Sequence, residues 1–456
     1  MRRRKRVLRR RVNGRLQLLF ASDQLSSYVG LELVRCFLSQ LNFSRRLRRH
    51  LSKHDLGGDF ASVSVVRLIL ALLLTGGRRL RHVGFLQGDP LVTRFCNLSI
   101  LPTDRTLSRW LSQCGLAVQD SLRDFQTELL AESLQPLELP RLTIDIDGTV
   151  VSTGLTIERA FRGYNPHHRK VPSYFPITAH VAQTGHILRV QNRSGNVHDG
   201  KASKQFIRKV LADVREIAPK TKIEMRLDGA YFRQDLLSWL PSHAEYAVKV
   251  PFYQWLDLKG IIQQRRRWQR LSDGLDGFET LLPVDAWGMK LRVAIFRKRV
   301  MHASPKNYQL DLFDPDDGHW EYSAVATNKE VGLKTLWGFM AGRGAHEKAL
   351  SELKTGYAFD SVPTHSYAAN STWQILSAMA HNLVVSLQIS TAAQQRRQNA
   401  KRSPLFALKR IGTIRFEWLC RAGLLQNLGG RHTLKLSKNL PARKGLEDLL
   451  EKLQVA

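Results

Sequence analysis

Apolar residues recur three and four positions apart from Leu31 to about Leu130, in runs such as Leu31-Leu33-Val34-Phe37-Leu38-Leu41 and Val65-Leu68-Leu70-Leu73. That is the period of helices that bury one face. Within this stretch Pro102 and Thr103 or Asp104 signal a helix start, and Arg105 and Arg109 fall on one face of the helix that follows. Such a helix serves either as the recognition helix of a helix-turn-helix or as an ordinary capped member of a bundle. Pro140 closes the helical pattern, so residues 1–140 read as one all-helical unit.

The period then changes to two. Leu142, Ile144 and Ile146 face one way, and Thr143, Asp145 and Asp147 the other. Like charges on one strand face raise each other's pKa, and a divalent cation would relieve the conflict; a solvated edge is the alternative. Further strands are expected over 174–181, 187–190, 223–228 and 245–250, with a helix over 203–217. The fourth strand ends in Asp228, and Gly229 permits a sharp exit. Open α/β sheets place their chemistry at the C-terminal ends of strands. His198, in the turn Gly195-Asn196-Val197-His198, reads either as a group that positions DNA or substrate water or, more plainly, as a residue that hydrogen-bonds its own loop.

From about 251 to 328 short alternating stretches are separated by polar loops, among them Asp273-Gly274-Leu275-Asp276-Gly277 and Asp314-Pro315-Asp316-Asp317-Gly318. This is the mark of a small β-rich insertion. Its cluster Arg265-Arg266-Arg267-Trp268-Gln269-Arg270 joins guanidinium groups to an aromatic ring, a combination suited to a DNA backbone and unstacked bases. Trp287 and Trp320 are further candidates for that role, and each of the three also reads as core. A helix over 333–353 then carries Arg343 and Glu347, with Lys354 just beyond. At about 100° per residue these three fall within a stripe roughly 40° wide. A lone carboxylate between two cations suits a site where a metal meets a phosphate; an amphipathic surface helix is the plainer reading. An apolar helix over 371–387, a basic polar linker over 394–402 and two or three short basic helices over 403–456 complete the chain.

Composition narrows the class. An apolar fraction of 43% with nine tryptophans supports folded cores over the 456 residues. The net charge of +31 asks for a polyanionic partner, with nucleic acid ahead of a membrane surface. Residues 1–16 form a basic arm with no apolar run behind them, which argues against a signal peptide. The most apolar run, 63–74, is short and carries Arg67, so no membrane span is expected. Cys36, Cys96, Cys114 and Cys420 are scattered, which fits a reducing cytosol and argues against a zinc knuckle or a disulfide framework. The expectation is a soluble cytoplasmic, nucleoid-associated protein.

The spacing of Arg343, Glu347 and Lys354 resembles the signature of bacterial insertion-sequence DDE transposases: tyrosine, two residues, arginine, three residues, glutamate, six residues, lysine. Met340 stands where that signature has tyrosine. The texts Ile146-Asp147-Gly148-Thr149, Gly163-Tyr164-Asn165-Pro166, Gly195-Asn196-Val197-His198 and Arg226-Leu227-Asp228-Gly229-Ala230-Tyr231-Phe232 are similar, in order, to the group 1 members, as is the helix opening at Leu101.

The resemblance implies an α/β ribonuclease H-like catalytic core interrupted by the β-rich insertion, its halves at 141–250 and 329–400 and the insertion at 251–328. The all-α DNA-binding region at 1–140 precedes it and a small basic helical region at 401–456 follows. In that fold the first and fourth strands are neighbours, which brings Asp147 beside Asp228. The resemblance assigns Asp147, Asp228 and Glu347 as metal-holding catalytic carboxylates, with Asp145 in reserve for the first position. It assigns Arg343 and Lys354 to the DNA strand near the cut, beside the proposed DNA contacts Arg105, Arg109 and Trp268. The implied cofactor is Mg²⁺, two ions per site, with Mn²⁺ able to substitute. The implied partners are double-stranded DNA, at the element's terminal inverted repeats and at the target, and a second copy in a homodimer. The implied activity is cut-and-paste transposition. A non-transposing nuclease of the same fold and a catalytically inactive DNA-binding descendant are the alternatives.

Overall fold

The computed structural model describes residues 24–163, 165, 168, 170–197, 200, 202–301, 319–391, 394–395, 404–429 and 431–455. The basic arm, His198, the Asp314 loop and most of the 394–402 linker lie outside the described residues.

The N-terminal region is helical, as its period requires. Helices α1 (Gly30–Gln40), α2 (Phe43–Leu51), α3 (Ser62–Leu74), α4 (Pro90–Cys96), α5 (Asp104–Gln113) and α6 (Leu116–Leu134) follow one another. Helix α4 starts where Pro90 supplies a preset φ and the Asp89 side chain accepts from the Leu91 and Val92 amides. In α5 the Thr103 side chain caps the Thr106 amide, while Leu107, Trp110 and Leu111 are buried.

Among the described residues nine strands form one mixed sheet. In chain order they are β1 (Arg141–Gly148), β2 (Ile177–Val181), β3 (Ile187–Gln191), β4 (Lys222–Leu227), β5 (Glu245–Val250), β6 (Gln269–Ser272), β7 (Leu275–Val284), β8 (Met289–Val300) and β9 (His319–Thr327). Their order across the sheet is β3-β2-β1-β4-β5-β9-β8-β7-β6. Strand β1 runs parallel to β4, and β4 to β5, so the first and fourth strands are neighbours as expected. Helix α7 (Ser203–Ile217) connects β3 to β4 and buries Phe206, Ile207, Val210 and Val214. The insertion is β-rich, but it is not a separate body. Strand β9 pairs antiparallel with β5, so the insertion extends the central sheet edge to edge. Besides its strands it carries a short helix, α8 (Leu258–Gln264).

Two further expectations need correction. The helix expected over 333–353 is two helices, α9 (Leu333–Ala341) and α10 (Gly344–Tyr357), with the break at Gly342 and Arg343. The C-terminal region is not wholly helical. Past α11 (Tyr367–Thr391), an antiparallel hairpin of β10 (Gly423–Leu428) and β11 (Arg431–Leu436) precedes α12 (Leu440–Val455). Strand β10 also pairs with Leu25 and Ser26, so the two ends of the described chain meet.

The core explains these meetings. Helix α11 is buried along nearly its whole length, and its apolar side chains share one cluster with α1 to α6, α10 and the C-terminal segment. A second cluster lies on the sheet under α7 and the insertion. Close approach at Gly30 locks the first cluster: a Cβ there would lie 2.5 Å from Leu419 Cα. The end of α10 is held with similar care. Its orphan carbonyls at Lys354 and Thr355 accept from Arg78, Gly356 from Arg415, Tyr357 from Ser377, and Ala358 from Trp373. Arg415 also binds the carbonyls of Leu73 and Leu74 at the end of α3. No described helix is long and apolar enough to cross a membrane.

Candidate active site

Alternation on β1 and β4 sends their polar residues to one face, where they meet in layers. Thr143 donates to Glu224 at 3.1 Å, and Lys329 and Arg141 neutralise that carboxylate. In the next layer Asp145 and Arg226 are direct cross-strand partners, joined by two contacts of 2.6 Å. The outermost polar positions are Asp147 and Asp228.

Asp145 is fully buried, and burial alone would raise its carboxyl. His180, 3.7 Å away on β2, and Arg226 outweigh that and hold its pKa below the ordinary value. The conflict of two carboxylates on one strand face is thus relieved at Asp145 by an arginine, with no metal required there. Asp145, the reserve candidate for the first carboxylate, forms a buried ion pair with Arg226.

Asp147 and Asp228 converge instead on Arg343. Its guanidinium lies 2.9 Å from Asp147 and 3.9 Å from Asp228. Burial opposes the Arg343 charge, but the two aspartates outweigh it and push its pKa up. Arg343 stands at the start of α10, in the break after α9, and not on the face of a continuous helix. The backbone amides of Gly148 and Gly229 donate to Asp147 and Asp228 at 3.0 and 2.7 Å, which fixes each carboxylate at its strand end.

Glu347 is exposed in the first turn of α10. It lines a cavity of about 310 Å³ together with Asp228, Lys249, Trp337, Met340 and Arg343. Met340 therefore sits on this cavity with a thioether in place of a phenol. Lys354 is half-buried and donates to the Val150 carbonyl at 3.2 Å, which ties α10 to the chain just past β1; burial lowers its pKa.

The other residues singled out from the sequence lie elsewhere. Arg105 and Arg109 are both exposed on α5. Trp268 packs edge-on against Phe278 at 4.8 Å, and the Arg297 guanidinium lies between it and Trp320, 4.5 and 4.4 Å from the two rings. Trp287 packs on Phe232 at 4.8 Å. A more open aromatic surface was missed: Tyr253 and Trp255, just past β5, are stacked at 5.8 Å and about half exposed. The run Phe252-Tyr253-Gln254-Trp255 was its signal.

A family model described as "Transposase DDE domain group 1" matches residues 9–456. The chain belongs to that family. Among curated proteins, none matches this group 1 DDE transposase chain. Among solved structures it is similar to a piggyBac transposase, captured by cryo-electron microscopy in a synaptic complex with hairpin DNA. That likeness has 9% identity, a TM-score of 0.43, and coverage of 85% of this chain and 79% of the other.

The family implies a divalent metal. Among the described residues no three His, Cys, Asp or Glu side chains stand close enough to hold an ion. The donor chemistry nevertheless fits a hard cation at Asp147 and Asp228. Both are oxygen donors, and they already share one cation, the Arg343 guanidinium.

Proposed function

We propose that this chain is an insertion-sequence DNA transposase with a ribonuclease H-like core, which binds terminal inverted repeats, cleaves the element ends and joins the 3′-hydroxyls to target DNA. The observation that carries the reading is the meeting of Asp147 and Asp228, 81 positions apart by sequence numbering, on one buried guanidinium beside a cavity that Glu347 also lines. Asp147, Asp228 and Glu347 would hold Mg²⁺, two ions in the full site, with Mn²⁺ as substitute. When bound, the metal supplies the charge that favours in-line attack at phosphorus.

The protein's own groups supply the rest. Arg343 offsets part of the charge of the two aspartates in the DNA-free chain; released from them, its planar fork suits a phosphate. Lys249 adds a second cation to the cavity wall. Lys354 steadies α10 against the Val150 carbonyl and stands near the strand path. Arg105 and Arg109 on α5 and Trp268 in the insertion are the proposed contacts to the DNA beyond the cut, and paired element ends favour a homodimer.

The test is a plasmid carrying the element with its flanking ends, incubated with protein and Mg²⁺. Wild type should cut at the ends, while Asp228→Asn and Glu347→Gln bind the ends in a gel shift but do not cut. If wild type binds and never cuts under Mg²⁺ or Mn²⁺, the chain is a DNA-binding descendant, the reading that Met340 favours. If the variants cut like wild type, the carboxylate assignment is wrong.

A further inference from the structure

Arg226 is 1% exposed, and its guanidinium joins segments from three parts of the chain. It stands on β4, two residues before Asp228. Its Nε and Nη2 donate to Asp145 on β1, two residues before Asp147. Its Nη1 donates at 2.9 Å to the Phe339 carbonyl near the end of α9, four residues before Arg343. Space for that third bond exists because residue 342 lacks a side chain. A Cβ at Gly342 would lie 2.2 Å from Nη1. On the far side of Asp145 the row continues through His180 to His346, whose rings pack at 5.2 Å. His346 is fully buried and immediately precedes Glu347.

We propose that Arg226 is a positioning residue: its three-way bridge sets the spacing among the elements that carry Asp147, Asp228, and Arg343 with Glu347. This rests on the transposase reading above, and it adds a part that touches neither DNA nor the reacting atoms. The guanidinium suits the task because its donors lie in one rigid plane. Two donors on one edge grip a carboxylate and a third reaches a carbonyl, so the three segments are fixed relative to one another. A lysine would keep the charge and lose that geometry.

An ordinary buried ion pair is the competing account, and the same sheet contains a control. Arg189 on β3 binds Asp213 on α7 at 2.6 and 2.7 Å, similarly buried, and touches none of the three carboxylate-bearing segments. The experiment compares full-length wild type with Arg226→Lys, Gly342→Ala and Arg189→Lys. Hydrogen exchange is followed at the 342–347 amides, and Mn²⁺ binding to the DNA-free chain by electron paramagnetic resonance.

Arg226→Lys and Gly342→Ala should speed exchange across 342–347 and weaken Mn²⁺ binding by about tenfold or more, the loss typical of supporting groups behind a metal ligand. Arg189→Lys should lower the thermal midpoint without either effect. Gly342→Ala keeps both charges of the pair, so it decides the matter if Arg226→Lys does not fold. Wild-type exchange at 342–347 in Gly342→Ala, or an equal effect in Arg189→Lys, would overturn the proposal. If wild type itself binds no Mn²⁺ and cuts no DNA, the transposase reading fails, while the exchange data still decide whether Arg226 positions the break.

Discussion

Arg343 bridges two aspartates with one side chain, and this makes its replacement informative. In Arg343→Ala the carboxylates of Asp147 and Asp228 lose their shared cation, and a divalent ion becomes the available substitute. The thermal midpoint of DNA-free Arg343→Ala should rise more on adding Mg²⁺ than that of wild type. An equal shift in both would show that Arg343 does not compete for that position. Two buried histidines set a different prediction. Burial pushes His186 down to about 3 and His381 down to about 4, so both are neutral in the folded chain. Unfolded, each titrates near 6.5, so the unfolded chain takes up protons first as pH falls. Stability is full above that value and declines towards the folded pKa, by up to about 1.4 kcal/mol per histidine per pH unit. The urea midpoint should therefore fall between pH 7 and pH 5; a constant midpoint would contradict the burial of these rings. At this scale the sequence was legible where alternation marked a carboxylate, as at Asp147, or where a strand ended in one, as at Asp228. It was not read at Arg226, although Glu224, Arg226 and Asp228 alternate just as Thr143, Asp145 and Asp147 do. Matching the two polar faces would have paired Asp145 with an arginine.

The elements around the site were legible by period and less so by boundary. The helix over Ser203–Ile217 was expected with those limits, because its apolar face is regular and its flanks are polar. The break between α9 and α10 was passed over despite glycines on both sides of Arg343, because the apolar spacing runs on across it. At the break the Phe339 carbonyl accepts from Arg226 and the Arg343 amide bonds to the Met340 carbonyl, so its bonding involves a contact between distant segments. The hairpin of β10 and β11 was not read, though Gly429-Gly430 between its strands is a two-residue turn signal. Helix α10 is anchored at its far end to the end of α3 through Arg415. Arg415→Met would strip partners from the Gly356, Leu73 and Leu74 carbonyls. The expected cost is on the order of 3 kcal/mol, seen as a lower urea midpoint, since buried carbonyls would be left without donors. An unchanged midpoint would mean that water replaces the guanidinium.

For the whole molecule, charge and sheet continuity matter most. With +31 net charge, DNA affinity should fall steeply with salt, the logarithm of the binding constant dropping by about 0.9 per phosphate neutralised. A titration from low to physiological salt checks this, and a flat response would exclude backbone contacts as the main grip. The sequence marked 251–328 as β-rich but gave no sign of where its strands attach, since pairing partners are set by tertiary contact. The attachment, β9 on β5, has a mechanical meaning. Four strand-to-strand steps separate β5 from β6, at about 4.8 Å each, so the outer strand stands roughly 20 Å from β5. The sheet thus acts as a ruler: anything seated on the far strands is held at a set offset from Asp228, and gaining or losing a strand would change that offset in whole increments.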